Sequence, residues 1–114
     1  MVVSKKLSER YQTLKQQVPD CLLLMQVGAF LQVMNEDARK VAEITGIKLQ
    51  MAGDVDAPLI LGGFPKSGLD KYIGKLLRAE QAVAVAMQDD NKQRHISEIL
   101  RVRVEKREPE NGTL

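Results

Sequence analysis

An apolar run reads Cys21-Leu22-Leu23-Leu24-Met25-Gln26-Val27-Gly28-Ala29-Phe30-Leu31-Gln32, and a Gly-Ala pair interrupts it just before an aromatic residue. A continuous apolar segment is typical of a buried strand, whereas the glycine predicts a tight turn or a bulge. We therefore expect strands over 21–27 and 30–34, with the ring of Phe30 directed outward at the turn. The chain has two Phe, two Tyr and no Trp, so few of its side chains can stack on a ligand.

Length and composition indicate one folded domain. The chain has 114 residues, of which 44% are hydrophobic and 28% charged, values typical of a globular protein rather than a disordered one. The net charge is only +2, from 17 Lys and Arg against 15 Asp and Glu, so any contact with nucleic acid has to come from a local cluster. We expect one domain over 1–105 and a frayed tail over 106–114.

The number of cysteines and the hydropathy of the sequence indicate the cellular compartment in which the protein is expected. The single Cys21 can form no internal disulfide and is expected to be a small buried residue in a reducing cytoplasm. No apolar run approaches the roughly 20 residues that span a bilayer, and the first residues lack the apolar segment of a signal peptide. The prediction is a cytoplasmic protein without a membrane partner.

Two helices are predicted in the first half of the chain. The first begins near Ser4, ends at Pro19, and has an apolar stripe made of Leu7, Tyr11, Leu14 and Val18. The second covers 36–45, with Asn35 as its N-cap and Gly46 as its C-terminal cap.

A third helix and further strands complete the pattern. Ser67 and Asp70 have the spacing of a capping box, followed by the apolar face Leu69, Ile73, Leu76 and Leu77. Extended segments are predicted at 47–51, 58–61, 82–87 and 100–105, with an acidic turn at 53–57 and a polar loop at 88–94. This order favours an α/β domain in which a mixed β-sheet is flanked by about three helices.

Several short motifs follow one another over residues 7–105. They are Tyr11 with Lys15, Pro19-Asp20, Leu22-Leu23-Leu24, Gly28-x-Phe30, Asp37-Ala38, Gly46-Ile47, Pro58-Leu59-Ile60-Leu61-Gly62-Gly63-Phe64-Pro65, Leu69-x-x-Tyr72-Ile73-x-Lys75-Leu76 and Val83-Ala84-Val85-Ala86-Met87-Gln88. In this order and spacing they resemble the N-terminal domain of the MutS family of DNA mismatch-repair proteins. The resemblance implies a free-standing MutS domain I-like fold, with a mixed sheet surrounded by helices.

The resemblance also implies a site. In the family, a glycine-led loop carries a Phe-x-Glu motif whose Phe inserts from the minor groove and stacks on a mispaired base, while the Glu hydrogen-bonds to that base. The matching positions are Gly28, Phe30 and Gln32. This chain departs from the family at Gln32, which carries no charge, at Gln26 in place of an Arg, and at Ala29 in place of an Asp.

Phosphate contacts would come from basic residues near the loop. The candidates are Lys5, Lys6, Arg10, Lys66, Lys71, Arg101 and Arg103. Lys66 is preferred because it stands beside Ser67 at a helix start, where backbone N–H groups favour an anion. The predicted DNA-binding set is therefore Phe30, Gln32, Gly28, Gln26 and Lys66.

These residues predict a non-catalytic domain that binds double-stranded DNA and probes mispaired or bulged sites. No Gly-x-x-x-x-Gly-Lys-Ser/Thr sequence occurs, so the activity is expected to be independent of ATP, and no cofactor is predicted. The alternative is a protein-interaction module that keeps the fold without mismatch sensing, which the near-neutral charge, Gln32 and the missing Arg favour. The sequence leaves open whether a repair protein or a mobile-element protein is a partner.

Three non-functional interpretations of these residues and one enzymatic interpretation are alternatives to a DNA-binding site. Phe30 could pack in the core, Gln32 could be a solvated strand residue, and each cation could be plain surface. Asp20, Asp90 and Lys92 have the residue types of a metal-dependent nuclease, but their spacing argues against one. Asp54 and Asp56 fit a turn, and the single His95 has no partner for a zinc site, so no metal is predicted.

Overall fold

The computed structural model describes residues 4–102, whose strands form one mixed sheet with helices on both faces. The helices are α1 (Lys5–Gln17), α2 (Asn35–Thr45) and α3 (Leu69–Arg78), and a 3₁₀ turn, Lys66–Gly68, precedes α3. The strands are β1 (Leu22–Val27), β2 (Phe30–Met34), β3 (Gln50–Asp54), β4 (Ala57–Pro65), β5 (Val83–Gln88) and β6 (Arg94–Leu100). The predicted α/β class, with a mixed sheet and three helices, is confirmed.

The strand order places the first hairpin in the middle of the sheet. The order is β3-β4-β2-β1-β5-β6, in which β1 and β5 run parallel and every other neighbouring pair is antiparallel. The β1–β2 hairpin is therefore bordered by β4 on one side and by β5 on the other, and both neighbours fix its register.

Both faces of the sheet are covered, which explains why β1 is apolar at every position from Leu22 to Met25. The core on the α1 face includes Tyr11, Leu14, Leu23, Met25, Met34 and Leu61. The core on the α2 and α3 face includes Leu24, Leu31, Val33, Val41, Phe64 and Leu76. Cys21 is buried as predicted.

Asp37, in the first turn of α2, joins three elements. Its carboxylate accepts hydrogen bonds from the Leu23 N–H at 3.0 Å and from the Lys15 ammonium at 3.0 Å. The Tyr11 hydroxyl lies 3.2 Å from the same carboxylate and donates to the Leu23 carbonyl at 2.6 Å. Burial raises the pKa of Tyr11 well above its usual value, and the charge of Asp37 acts in the same direction.

Of the three predicted helix caps, Gly46 is correct and Asn35 and Ser67 are wrong, whereas Ser4 caps α1 close to its predicted start. Ser4 accepts the Leu7 N–H at 3.1 Å, and Gly46 ends α2 with φ of +81°. Asn35 is not an N-cap, because its amide oxygen accepts the Ile60 N–H of β4 at 3.2 Å and Met34 occupies the cap position. Ser67 belongs to the 3₁₀ turn, so the N-cap position of α3 falls to Gly68, without a side-chain hydrogen bond.

The strand predictions were too short in β4 and misplaced in β6. β4 continues through the two glycines to Pro65, because β2 pairs with it along this length. β6 begins at Arg94 because Asp89 accepts the N–H groups of Asn91 and Gln93 and closes a tight turn, so the polar loop is shorter than predicted.

The remaining boundaries differ by a few residues or fall outside the structure. β3 begins three residues later than predicted, and its turn with β4 is limited to 55–56. The predicted strand at 100–105 is wrong where it can be compared, because only Leu100 of residues 100–102 belongs to β6. Residues 103–105 and the predicted tail 106–114 lie outside the described residues, and the domain boundary stays a prediction. No helix within residues 4–102 is long and apolar enough to cross a membrane.

Candidate functional site

The first hairpin presents Phe30 at the surface. Val27 pairs with Phe30, so the connecting turn contains only Gly28 and Ala29. Gly28 has φ of +61°, a conformation that glycine adopts at little cost, and such a glycine is typical of the first position of a two-residue hairpin turn. The Phe30 side chain is 50% exposed, so it lies outside both cores.

Lys66 lies beside the same turn. Phe30 pairs with Pro65 of β4, and the next residue, Lys66, donates its backbone N–H to the Ala29 carbonyl at 2.8 Å. This bond ties the start of the 3₁₀ turn to the hairpin. The exposed Lys66 is therefore held next to Phe30 by the backbone, as the DNA-binding set requires.

A cleft of about 230 Å³ opens next to the Phe30 ring. We call it the Phe30 cleft, and its lining residues are Phe30, Gln32, Lys48, Gln50, Leu61, Gly62 and Gly63. Gln32 is only 8% exposed, so the interpretation as a solvated strand residue is wrong. Phe30 and Gln32 are two residues apart on β2 and therefore lie on the same face of the sheet.

Gly63 leaves this cleft without a side chain beside Gln32. It pairs with Gln32 across β2 and β4. A Cβ atom at Gly63 would lie 2.9 Å from the Leu31 carbonyl oxygen and 3.7 Å from the Gln32 Cγ. Because the nearest atom belongs to the backbone, a side chain is excluded here unless the strands shift, and the cleft stays open.

Gln26 differs from the other predicted site residues. It lies on β1 opposite Leu31, on the other face of the sheet from Gln32. Its amide oxygen accepts the Gln88 N–H at 2.8 Å, and its amide nitrogen donates to the Gly28 carbonyl at 3.2 Å. The structure thus brings Gly28, Phe30, Gln32 and Lys66 together but uses the Gln26 side chain to join the hairpin to β5.

Arg94 supports the same corner of the sheet. Its Nε donates to the Gln26 carbonyl at 2.6 Å, and its own carbonyl accepts a hydrogen bond from the Arg10 guanidinium at 2.6 Å. Burial lowers the pKa of Arg94. Arg94 therefore bonds to the hairpin close to its turn, and Arg10 bonds to the neighbouring strand β6.

Comparison with known proteins gives the family. The sequence matches MutS domain I over residues 5–108. This chain belongs to the MutS domain I family. It is 41% identical over 88 residues to the DNA mismatch repair protein MutS of Porphyromonas gingivalis, covering 76% of this chain and 10% of the relative. Over 96 residues it is 38% identical to the DNA mismatch repair protein MutS of Methanothrix thermoacetophila, covering 82% of this chain and 11% of the relative. The chain thus spans about a tenth of the length of these relatives.

The other candidate cations of this MutS domain I are placed elsewhere. Arg101 forms an ion pair with Asp20 at 2.6 Å, and its hydrogen bond lowers the pKa of the Asp20 carboxyl. Lys71 lies 5.9 Å from the centre of the Tyr72 ring on α3. Among the candidates within residues 4–102, Lys66 is the one whose backbone bonds to the hairpin, and Arg103 lies outside that range.

The acidic residues of the nuclease interpretation are not brought together. Asp20 precedes β1 and Asp90 follows β5, and these two strands are parallel neighbours. The two carboxylates therefore lie at opposite ends of six-residue strands, roughly 20 Å apart at about 3.3 Å per residue. His95 pairs with Asp89 at 2.9 Å. Within residues 4–102 no group of three or more His, Cys, Asp or Glu is arranged to hold a metal ion.

Two polar residues that line the Phe30 cleft, Lys48 and Gln50, are absent from the set predicted from the sequence. They reach it because β3 pairs with β4, which brings Gln50 opposite Leu61. Gly63 was the available signal, because a glycine inside a strand often marks a place where another group approaches the backbone closely.

Proposed function

We propose that this MutS domain I binds duplex DNA and probes mispaired or distorted sites with Phe30, without catalysing a reaction. The half-exposed Phe30 ring, presented by a two-residue turn, is the observation that carries the proposal. Insertion of an apolar wedge unstacks a base step at a cost of a few kcal/mol. Mispaired steps are less well stacked, so insertion there costs less and the wedge prefers them.

The neighbouring residues support the wedge in different ways. The Gln32 amide can donate and accept hydrogen bonds, so it suits an unpaired base edge without bringing a charge. Lys66 contacts a phosphate beside the inserted ring, and Gly28 gives the turn its conformation. Gln26 acts indirectly, because its side chain holds the hairpin against β5.

The proposed partners follow from the family. The relatives named above are DNA mismatch repair proteins, and we propose that this chain acts on double-stranded DNA in the cytoplasm together with a repair or mobile-element protein. The proposed probing step uses binding energy alone and needs no ATP.

The test compares duplexes that differ at one position. Fluorescence anisotropy with fully paired, G·T-mismatched and single-base-bulged duplexes, each at two salt concentrations, gives the preference for the defect. We expect Phe30→Ala to remove the preference and to retain most affinity for the paired duplex, because phosphate contacts remain. Base–aromatic stacking contributes about 1–3 kcal/mol per base, so the lost preference is about 5- to 150-fold.

Two matched variants sharpen the result. Phe30→Leu keeps an apolar side chain and removes the flat ring, so it should lose most of the preference as well. Ile99→Ala removes an exposed apolar side chain of similar exposure, 47%, on the edge strand β6, and should behave as wild type. Equal dissociation constants of the wild type for paired and defective duplexes would refute the sensing role. An unchanged preference in Gln32→Glu would remove Gln32 from the site.

A protein-interaction module is the second candidate. It is favoured by exposed apolar residues at the β3–β4 hairpin, where the Met51 side chain is 69% exposed and the Val55 side chain 97% exposed. Salt dependence separates the two functions: phosphate contacts make log affinity for DNA fall linearly with log salt. A chain that binds no duplex at low salt would favour the interaction module.

A further inference from the structure

We infer that the Phe30 cleft receives a single unpaired nucleobase of the bound DNA, with Gln50 contacting the base and Lys48 contacting the adjacent phosphate. This inference rests on the proposed function and adds a ligand and two residues to it. It assigns the cleft to a base that has left the stack, whereas the wedge acts within the stack.

The size and walls of the cleft suit one base. Its volume of about 230 Å³ equals that of about eight waters at roughly 30 Å³ each, enough for one planar ring system. The exposed Phe30 ring borders one side and Leu61 adds apolar surface. Gly63 contributes bare backbone beside Gln32, so a flat ligand can approach the strand closely.

The polar groups of the cleft suit a base without selecting its identity. Gln32 and Gln50 each carry an amide with two donor hydrogens and an acceptor oxygen. Such a pair can match the Watson–Crick edge of more than one base. In paired DNA that edge is occupied by the complementary base, so only an unpaired base presents it to the protein. The cleft therefore recognises the unpaired state.

Lys48 supplies the charge that a nucleotide requires. It is the charged residue among those lining the cleft, and its side chain is exposed. Lys48 precedes β3 by two residues, and its side chain and that of Gln50 both line the cleft. A base that enters beside Gln50 brings its phosphate to the rim, where the flexible Lys48 ammonium can reach it.

The first test changes only the DNA. A duplex with a one-base bulge is compared with the same duplex in which the bulged nucleotide is abasic. Both are distorted, but only the first offers a base to the cleft. We expect the abasic bulge to bind about tenfold more weakly. Equal binding of the two bulges would overturn the inference.

The second test changes the protein at exposed positions. Gln50→Ala should weaken binding of the one-base bulge about tenfold and leave the paired and abasic duplexes unchanged. Lys48→Ala should weaken all duplexes and reduce the slope of log affinity against log salt by about 1. The matched controls are Gln93→Ala in the β5–β6 turn and Lys40→Ala on α2, which are exposed and do not line the cleft. Variants that match these controls would overturn the inference.

The outcomes separate the inference from the proposed function. A bulge preference that disappears in Phe30→Ala but persists in Gln50→Ala overturns the cleft assignment and leaves the wedge intact. A wild type without any preference for defects overturns both.

Discussion

Replacement of Asp37 by alanine tests the hydrogen bonds through which this residue of α2 joins α1 and β1, the first strand of the β1–β2 hairpin. The carboxylate is mostly buried, and it accepts the Leu23 N–H and the Lys15 ammonium, each at 3.0 Å. Leaving a buried N–H without a partner costs about 1–3 kcal/mol. The Lys15 side chain is 30% exposed and can turn toward water, so its lost bond adds about 1 kcal/mol. We expect Asp37→Ala to lower the free energy of unfolding by about 3 kcal/mol.

Thermal unfolding followed by circular dichroism measures this loss. For a chain of this length, 1 kcal/mol shifts the melting temperature by about 4 °C, so the expected decrease is about 12 °C. Glu36→Ala is the matched control, since Glu36 is the preceding residue of α2 and its exposed ion pair with Arg39 at 3.3 Å contributes about 0.5 kcal/mol or less. Equal melting temperatures for the two variants would show that the buried carboxylate does not hold these elements together.

The remaining predictions concern the other Phe and the buried Tyr. Phe64→Ala should lower the free energy of unfolding by about 3–5 kcal/mol because Phe64 is 2% exposed. Phe30→Ala should lower it by only about 1 kcal/mol, since Phe30 is already half exposed to water. Urea unfolding compares the two variants, and equal losses would contradict the exposed position of Phe30. Burial raises the pKa of Tyr11 above 10.0, so above that pH the folded chain retains a proton that the unfolded chain loses, and stability falls as the pH rises. Tyr11→Phe should flatten that decline above about pH 10, as unfolding at several pH values would show; a decline as steep as in the wild type would refute it.

The central hairpin and the three helices could be predicted from the sequence because each has a strong local signal. The apolar run from Cys21 to Val27 predicts a strand buried on both faces, and Gly28 predicts the turn. The stripe on α1 and the αL glycine at Gly46 are equally local. These signals place Phe30 at the surface because a strand residue next to a two-residue turn stands at the end of the sheet.

The Phe30 cleft could not be predicted, since strand pairing between distant segments creates it. Gln50 enters the site because β3 pairs with β4, and Lys48 precedes that strand by two residues; a periodic pattern does not give this register. The N-cap prediction at Asn35 failed for the same reason. Its side chain could cap a helix, but in the folded chain its amide oxygen accepts the Ile60 N–H of the distant strand β4. The misplaced β6 follows from its position at the sheet edge, where mostly exposed polar residues hide the alternation.

Gln32, where the family resemblance implies a Glu, is physically consistent with the rest of the cleft. A carboxylate at a position only 8% exposed would have to be desolvated, which costs several kcal/mol unless a cation compensates. The cation lining the cleft is Lys48, so an acid at position 32 would draw its ammonium away from a phosphate. A neutral amide removes that competition and leaves Lys48 available for DNA. A neutral residue at position 32 is therefore consistent with the proposed recognition of an unpaired base by hydrogen bonds, with the charge of Lys48 kept for the DNA backbone.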